Sequence, residues 1–319
     1  MEMARAFVFP GQGSQAVGMG RALAEAFPVA RLVFEEVDDA LGQKLSRLMA
    51  EGPESELTLT ENAQPALMAV SMAALRVLTA EGGFSLADKA AFVAGHSLGE
   101  YSALAAADAL TLPDAARLLK RRGRAMQRAV PVGEGAMAAL LGLDLEAAEA
   151  IAAAAREAGP KSEVVSVAND NAPGQVVVSG HKAAVERAVA IAAERGTKRS
   201  VMLPVSAPFH CALMQPAADE MREALARTAI AMPAVPVVAN VTAKPVSDPE
   251  TIRRLLVEQV TGLVRWRESV LAMKAQGVEE LIEIGAGKVL TGLTKRIDRE
   301  LKGQAAGTPE EIEAVLKTL

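Results

Sequence analysis

A Gly-x-Ser-x-Gly segment at residues 95–99, Gly-His-Ser-Leu-Gly, constrains the fold of this chain most strongly. An apolar stretch precedes it at residues 90–94, and residues 100–107 have a helix-forming composition. A strand, a sharp turn and a helix in this order form a nucleophile elbow, where flanking glycines allow the tight turn and the central hydroxyl projects from the sheet. The free N–H groups of the following helix favour an oxyanion at that point. The segment therefore predicts a nucleophilic Ser97, and a chance serine in a glycine-rich connection is the alternative.

The order of predicted elements indicates an α/β fold with an inserted unit. In the outer parts, strands are predicted at 6–9, 90–94, 234–239 and 281–284, and helices at 57–78, 112–130 and 249–260 and after 266, 290 and 309. Such alternation predicts a mostly parallel sheet covered by helices on both faces.

The middle of the chain has a different pattern. Strands at 136–143, 164–169, 175–179 and 198–203 and helices at 145–158 and 181–195 give the order β-α-β-β-α-β. This is the order of a split-βαβ, or ferredoxin-like, unit. We therefore predict a large catalytic domain at 1–130 and 204–319, interrupted by a small ferredoxin-like domain at 131–203.

A serine nucleophile needs a base, and the chain has three histidines. His96 is adjacent to Ser97, and adjacent side chains diverge at such a turn. His181 begins a helix of the inserted unit. Elimination therefore predicts His210 as the base, at the loop where the chain returns to the large domain, with a hydrogen-bonded core histidine as the alternative. A thiolate at Cys211 paired with His210 is disfavoured because neighbouring residues point apart.

No carboxylate stands out as the third member of a triad. In an α/β-hydrolase the acid lies between the serine and the histidine in chain order. That interval contains Asp108, Asp114, Asp144 and Asp170. The first two resemble helix-end and helix-cap residues, and the other two lie in the inserted unit. We therefore predict a Ser-His dyad whose histidine is oriented by a backbone carbonyl.

A cluster of basic residues lies on the predicted helix 112–130. Its members are Lys120, Arg121, Arg122, Arg124 and Arg128. For most of them a solvated basic face is the expectation. One arginine could point inward, and the pattern does not identify which.

The glycine-rich loop after the first strand permits a second interpretation. Residues 11–16 fit the loose G-x-G-x-x-A dinucleotide pattern, and Glu35 and Glu36 follow at about 20 residues. Against this, Pro10 lies in the turn, and residues 21–39 have helical rather than strand spacing. The competing use of such a loop is to offer backbone N–H groups to an oxyanion.

Composition excludes several classes of function. The net charge of −5 gives no electrostatic case for nucleic-acid binding. No apolar run approaches the ~20 residues of a membrane span, and the N-terminus lacks the pattern of a signal peptide. The single cysteine, Cys211, excludes an internal disulfide and fits the cytoplasm. Three scattered histidines and one cysteine do not have the spacing of a metal site.

Several motifs together resemble the malonyl-CoA:acyl carrier protein transacylase family, which loads malonyl groups for type II fatty acid synthesis. They are Phe-Pro-Gly-Gln-Gly-Ser-Gln at 9–15, Gln-Pro-Ala-Leu at 64–67, Gly-His-Ser-Leu-Gly-Glu-Tyr at 95–101, Arg-Gly at 122–123, Asn-Ala-Pro-Gly-Gln at 171–175, Ser-Ala-Pro-Phe-His at 206–210 and Asn-Val-Thr at 240–242. The resemblance extends in order over nearly the whole chain and implies a hydrolase-like α/β domain with a ferredoxin-like insert.

The resemblance assigns roles to three side chains. It implies that Ser97 is the residue that becomes acylated, that His210 is its general base and that Arg122 pairs with the malonyl carboxylate.

Three further positions match family residues that act through backbone groups. The resemblance implies that the N–H groups of Gln12 and Leu98 form the oxyanion hole and that the Gln259 carbonyl orients the histidine. The phenylalanine at position 209, directly before the histidine, is similar to the residue found there in malonyl-selective members of the family.

The implied activity is ping-pong transfer of malonyl from malonyl-CoA to the phosphopantetheine thiol of acyl carrier protein through a malonyl-serine intermediate. The implied protein is a cytoplasmic monomer that needs no cofactor or metal and binds neither nucleic acid nor membrane. A serine hydrolase or thioesterase on the same scaffold, a dinucleotide-binding protein and a non-catalytic scaffold are the alternatives.

Overall fold

The computed structural model describes residues 4–197 and 199–319, which form strands and helices in alternation. The strands are β1 (Arg5–Phe9), β2 (Phe92–Gly95), β3 (Gly135–Leu141), β4 (Val165–Ala172), β5 (Gln175–His181), β6 (Arg199–Met202), β7 (Val237–Ala239), β8 (Lys244–Val246), β9 (Glu280–Ile284) and β10 (Lys302–Ala306). The helices are α1 (Arg21–Ala26), α2 (Pro28–Leu41), α3 (Leu45–Glu51), α4 (Glu54–Leu57), α5 (Thr60–Gly82), α6 (Leu86–Lys89), α7 (Gly99–Ala106), α8 (Leu112–Ala129), α9 (Leu145–Glu157), α10 (Lys182–Glu194), α11 (Gln215–Ala226), α12 (Pro249–Thr261), α13 (Trp266–Ala275), α14 (Val289–Ile297) and α15 (Pro309–Leu316).

The larger sheet has the strand order β10-β9-β1-β2-β7-β8. All of its pairings are parallel except that of β7 with β8, which is antiparallel. Alternate residues of β1 enter different cores: Phe7 and Phe9 join the cluster formed with α2, α5, α7 and α8, whereas Ala6 and Val8 join the cluster around Trp266. Because side chains alternate along a strand, this division shows that helices cover both faces. The predicted mostly parallel α/β fold is confirmed.

A second, antiparallel sheet is built by the middle of the chain. Its strand order is β4-β5-β3-β6, and α9 and α10 connect its strands along the chain. One face of β3 contributes Ala138 and Leu140 to a core shared with these two helices. Met137 and Val177 project from the other face into the core of the larger part. The small sheet therefore presents its helix-free face to the larger part.

The elbow lies between β2 and α7, at the carboxyl end of the larger sheet. Phe9 of β1 pairs with Gly95 of β2, so the two loops that follow these strands lie side by side. A Cβ at Gly95 would lie 1.9 Å from the Gly99 backbone, and one at Gly99 would lie 2.3 Å from the Phe9 carbonyl oxygen. These contacts explain why both flanking positions are glycine.

The structure departs from the predicted elements in several places. The predicted helix 57–78 begins only at Thr60, and a separate short helix, α4, precedes it. The helical region after Arg21 is broken before Pro28 into α1 and α2. The short strands β8 and β10 and the helices α3 and α6 were not predicted. The predicted last strand of the insert included Lys198, which lies outside the described residues.

Helix α5 is apolar and long enough to cross a membrane, which the sequence analysis did not anticipate. Among the described residues it is the one helix that meets this criterion of length and composition. However, 83% of its apolar window is buried inside the protein. We therefore interpret α5 as a core helix of the α/β fold.

The close packing at Gly95 leads to a stability prediction. Gly95→Ala should lower the free energy of unfolding by about 3 kcal/mol or more, because backbone rather than a flexible side chain blocks the new methyl group. The matched control is Gly292→Ala in the exposed part of α14, where no heavy atom lies within 4 Å of the added Cβ. The free energy of unfolding of that variant should rise by about 0.5–1 kcal/mol. Urea unfolding measures both, and equal stabilities of the two variants would contradict the packing argument.

Candidate active site

The nucleophile elbow is held by one asparagine. Ser97 has a φ of 53°, in the left-handed region that side chains other than glycine seldom adopt. Its N–H donates to Asn240 Oδ1 at 2.8 Å, and Asn240 Nδ2 donates to the Gly95 carbonyl at 2.7 Å. Asn240 directly follows β7, the neighbour of β2 in the sheet. The Asn240 side chain therefore bridges both sides of the turn and stabilises its strained conformation.

The structure brings Ser97 and His210 into direct contact. Ser97 Oγ lies 2.7 Å from His210 Nε2, and His210 Nδ1 lies 2.9 Å from the Gln259 carbonyl oxygen. Since a carbonyl can only accept, Nδ1 carries the proton of a neutral imidazole and Nε2 is left as the acceptor. The serine hydroxyl therefore donates to His210, which is the arrangement of a nucleophile and its base.

Burial keeps the His210 imidazole neutral. The side chain is 3% exposed, and desolvation followed by the nearby Arg122 charge lowers its pKa to about 3. The carbonyl of Gln259 opposes this shift because it accepts from the protonated ring. The imidazole is consequently unprotonated throughout the neutral range, and its Nε2 remains a hydrogen-bond acceptor for Ser97.

Arg122 is the inward-pointing member of the basic cluster. It is 1% exposed, and its guanidinium donates to Gln64 Oε1 at 2.8 Å, to Gln259 Oε1 at 2.8 Å and to Ser97 Oγ at 3.2 Å. The Tyr101 ring lies beside it, with its centroid 5.7 Å from Cζ. Arg122 thus forms a buried cation directly beside the serine hydroxyl.

The other basic residues of the cluster form ion pairs away from the cleft. Arg121 and Arg128 pair with Glu220, and Lys120 and Arg124 pair with Glu61. The three arginines are at least 39% exposed, whereas Lys120 is nearly buried.

The Gln259 side chain links the serine, the arginine and a buried carboxylate. Its Nε2 donates to the Ser97 carbonyl at 2.9 Å, to Glu100 Oε2 at 2.8 Å and to Asn240 Oδ1 at 3.2 Å. Its Oε1 accepts from Arg122. Gln259 is completely buried, so these are the contacts that satisfy its amide.

The two predicted oxyanion donors lie on adjacent loops at the same end of the sheet. Gln12 follows β1, and Leu98 opens α7 directly after the serine. Within the described residues, neither backbone N–H donates a hydrogen bond to a protein acceptor. The Gln12 side chain anchors this loop, because its Oε1 accepts a hydrogen bond from the Thr60 hydroxyl at 3.1 Å. Both N–H groups are therefore available to a ligand oxygen.

These groups line a cleft of about 420 Å³ between the two sheets. The larger part contributes Ser97, Arg122 and His210, whereas the small sheet contributes Met137 and Val177 together with two asparagines, Asn169 and Asn171. The cleft combines a charged floor with a largely apolar wall, and its volume lies in the range of small-molecule binding sites.

The other histidines have local roles. His96 Nε2 lies 2.8 Å from Asn171 Oδ1, and its ring packs on Trp266 with centroids 5.9 Å apart. His181 precedes α10 and accepts from the Val164 N–H through Nδ1. Neither contacts the serine hydroxyl, which agrees with their elimination as bases.

The rejected carboxylates and the thiol are also engaged elsewhere. Asp114 and Asp144 lie at helix starts, Asp108 is exposed after α7, and Asp170 pairs with Arg267 at 2.8 Å. The Cys211 thiol donates to the Pro208 carbonyl, and burial raises its pKa, which disfavours a thiolate.

The dinucleotide interpretation of residues 11–16 is wrong in its structural context. The fingerprint requires a helix opening at the glycines, but the first helix begins only at Arg21. The acidic residues Glu35 and Glu36 lie inside α2 rather than at the end of a second parallel strand.

Three residues at the site have no role in the sequence analysis: Gln64, Glu100 and Asn240. All three lie within the motifs that carry the family resemblance. The side-chain amides of Gln64 and Asn240 have no acid, base or nucleophilic reactivity that would mark them as site residues. Glu100 lies between Ser97 and His210 in chain order, the interval in which an α/β-hydrolase carries its acid. A signal existed for Asn240, because polar residues at the carboxyl ends of neighbouring parallel strands converge.

Comparison with known proteins places this geometry in a family. The acyl transferase domain model matches residues 6–311. The chain is 49% identical over 312 residues to the malonyl CoA-acyl carrier protein transacylase of Escherichia coli K12, covering 98% of each chain. The acyl-carrier-protein-S-malonyltransferase of Bartonella henselae superposes with a TM-score of 0.95 at 58% identity, over 99% of each chain. A malonyl-transacylase solved in complex with its type II PKS acyl-carrier protein gives a TM-score of 0.94 at 45% identity, covering 99% of this chain and 100% of that one.

The lowered pKa of His210 predicts the pH dependence of serine reactivity. Because the neutral imidazole persists well below its ordinary pKa of 6.5, phosphonylation of Ser97 by a fluorophosphonate should proceed at a constant kinact/KI from about pH 8 to about pH 5. Circular dichroism at each pH verifies that the protein stays folded. A fall in rate with an inflection near pH 6.5 would contradict the proposed desolvation of the base.

Proposed function

The chain belongs to the acyl transferase family, and from that premise we propose how its residues act in malonyl transfer. It transfers the malonyl group of malonyl-CoA to acyl carrier protein, in support of fatty acid synthesis. The observation that carries the proposed mechanism is that the Ser97 hydroxyl lies within hydrogen-bond distance of both the His210 imidazole and the Arg122 guanidinium.

In the first half-reaction Ser97 attacks the thioester carbonyl of malonyl-CoA while its proton moves to His210 Nε2. The carbonyl oxygen becomes an oxyanion, which the N–H groups of Gln12 and Leu98 stabilise. Each donor of this kind contributes about 3 kcal/mol to the transition state in comparable sites. The C–S bond then breaks, and the departing sulfur of CoA takes the proton from His210. The product is a malonyl ester of Ser97.

The second half-reaction runs the same steps in reverse. The phosphopantetheine thiol of acyl carrier protein gives its proton to His210 and attacks the malonyl ester, and Ser97 leaves with that proton. This is a ping-pong scheme in which two thiols use one site in turn. It draws on the side chains and backbone alone, so we propose that the reaction needs no cofactor or metal.

We propose that Arg122 selects the malonyl group. A guanidinium meets a carboxylate through two parallel hydrogen bonds, and it stays charged even when buried. Three of its N–H groups already point at Gln64, Gln259 and Ser97, which fixes the plane of the fork. An acetyl group would leave the buried charge unpaired in the cleft, which disfavours it by about 2–5 kcal/mol.

We also propose a domain division and a class for the insert. Residues 1–130 and 204–319 form a hydrolase-like catalytic domain, and residues 131–203 form a ferredoxin-like domain. Support comes from the separate antiparallel sheet, with order β4-β5-β3-β6, and from the core that this sheet shares with α9 and α10.

We propose that the protein acts as a monomer in the cytoplasm. All the proposed catalytic groups come from one chain, which supports action as a monomer. Free, buried Cys211 fits the reducing cytoplasm. We propose no role for nucleic acid or for a membrane surface.

The proposed acyl-enzyme predicts a covalent adduct. Intact-protein mass spectrometry after mixing with malonyl-CoA should show one malonyl group, mapped by peptide analysis to Ser97 and absent in Ser97→Ala. Adding a pantetheine thiol should remove it by transfer. Rapid release of free malonate without any thiol would indicate the hydrolase alternative, and labelling at Cys211 would contradict the serine mechanism.

The role of Arg122 predicts a change in selectivity. Arg122→Ala should lower kcat/KM for malonyl transfer by about a hundred-fold or more, because the carboxylate loses its counter-charge, while acetyl transfer is kept or rises. Arg121→Ala is the matched control, since that neighbouring arginine pairs with Glu220 away from the cleft. An unchanged malonyl-to-acetyl ratio in Arg122→Ala would remove Arg122 from this role.

A further inference from the structure

Glu100 is a buried carboxylate beside the active site with no part in the steps above. It lies three residues after Ser97 in the first turn of α7 and is 3% exposed. One of its oxygens, Oε2, accepts from the Asn240 backbone N–H at 3.1 Å and from Gln259 Nε2 at 2.8 Å. Burying a carboxylate costs folding free energy unless the group is well hydrogen-bonded, so the position of Glu100 behind the elbow suggests a role in the site.

Glu100 is one of three acceptors that fix the direction of the Gln259 amide. A primary amide could turn over and exchange its oxygen and nitrogen, and only its partners decide which way it faces. Toward the elbow, Gln259 meets three acceptors: Glu100 Oε2, the Ser97 carbonyl and Asn240 Oδ1. An ionised carboxylate and a backbone carbonyl cannot donate, and the Ser97 N–H fixes Asn240 Oδ1 as an acceptor. The NH₂ group therefore faces the elbow, and Oε1 faces Arg122.

When Glu100 is ionised, the result is a charge pair separated by one amide. Arg122 Nη2 donates to Gln259 Oε1, and Gln259 Nε2 donates to Glu100. Burial raises the pKa of Glu100 to about 7, while the donors on Asn240 and Gln259 and the charge of Arg122 oppose that rise. A carboxylate in direct contact with Arg122 would occupy the fork that a malonyl group needs. Spaced by the amide, it supports the cation and leaves the Nε N–H and one Nη1 N–H of Arg122 without a protein acceptor among the described residues.

We propose that Glu100 is a positioning residue for malonyl selection, which acts by holding the Gln259 amide in the one orientation that aims Arg122 at the substrate carboxylate. This inference rests on the proposed role of Arg122. A structural role in the elbow alone would affect all acyl groups equally. A role in aiming Arg122 affects malonyl transfer and spares acetyl transfer.

The test compares three substitutions at Glu100 by kcat/KM for malonyl-CoA and for acetyl-CoA with a pantetheine acceptor. Glu100→Leu removes the acceptor and should lower the malonyl-to-acetyl ratio by about ten-fold. Glu100→Asp keeps the carboxylate but withdraws it from Gln259 by one methylene group, and should lower the ratio in the same direction. Glu100→Gln retains an acceptor for both donors and should restore a ratio close to that of the wild type.

Glu283→Leu is the matched control. Glu283 is also a fully buried carboxylate whose pKa burial raises, but it accepts from the backbone of α14, in the opposite part of the sheet. Its removal should cost stability and leave the ratio unchanged. If Glu100→Leu does not fold, Glu100→Asp decides the question.

An unchanged ratio in the folded Glu100 variants, or an equal fall of both activities, would overturn the inference while the wild-type ratio still supports the role of Arg122. A wild-type enzyme without preference for malonyl-CoA would instead refute the proposed selection, and this inference would fall with it.

Discussion

Two groups of a single residue connect the base of this site to its cation. The backbone carbonyl of Gln259 accepts from His210, and its side-chain oxygen accepts from Arg122. Because both contacts belong to one rigid, buried residue, the imidazole and the guanidinium are held in fixed relation to each other and to Ser97. Hydrogen bonds in such a desolvated network are stronger than in water, and an unmade one is costly. The network therefore specifies one arrangement of the reacting groups.

The fold supplies the converging ends that this network needs. Strands β1, β2 and β7 are neighbours in a parallel sheet, and their carboxyl ends lead to Gln12, Ser97 and Asn240 in turn. Parallel strands place such residues at one edge of the sheet. The small sheet then closes the cleft from the other side with an apolar wall. Ser97, Arg122 and His210 all come from the larger part of the molecule.

The sequence predicts the parts of this site whose chemistry is local. Ser97 follows from the elbow motif, and His210 follows because the other two histidines lie elsewhere. Arg122 could not be selected from its helix, because five basic residues share that segment and only packing against α5 and α7 decides which one is buried. Gln12, Leu98 and Gln259 were reached by resemblance alone, since the predicted roles use backbone groups that any residue carries. Glu100 and Asn240 were missed for the complementary reason: their partners are backbone and amide groups distant in the chain.

The short edge strands β8 and β10, Lys-Pro-Val and Lys-Gly-Gln-Ala-Ala, lack the apolar alternation that signals a strand.

We propose that one buried group of residues both activates Ser97 and binds the carboxylate of the acyl group. A crystal structure of the malonyl-Ser97 enzyme, trapped by freezing after reaction with malonyl-CoA, tests it most directly. The malonyl carboxylate should accept hydrogen bonds from Arg122, the ester carbonyl oxygen should lie near the N–H groups of Gln12 and Leu98, and the Gln259 contacts should be retained. A malonyl carboxylate directed toward solvent, or bound by the asparagines of the small sheet with Arg122 unengaged, would contradict it.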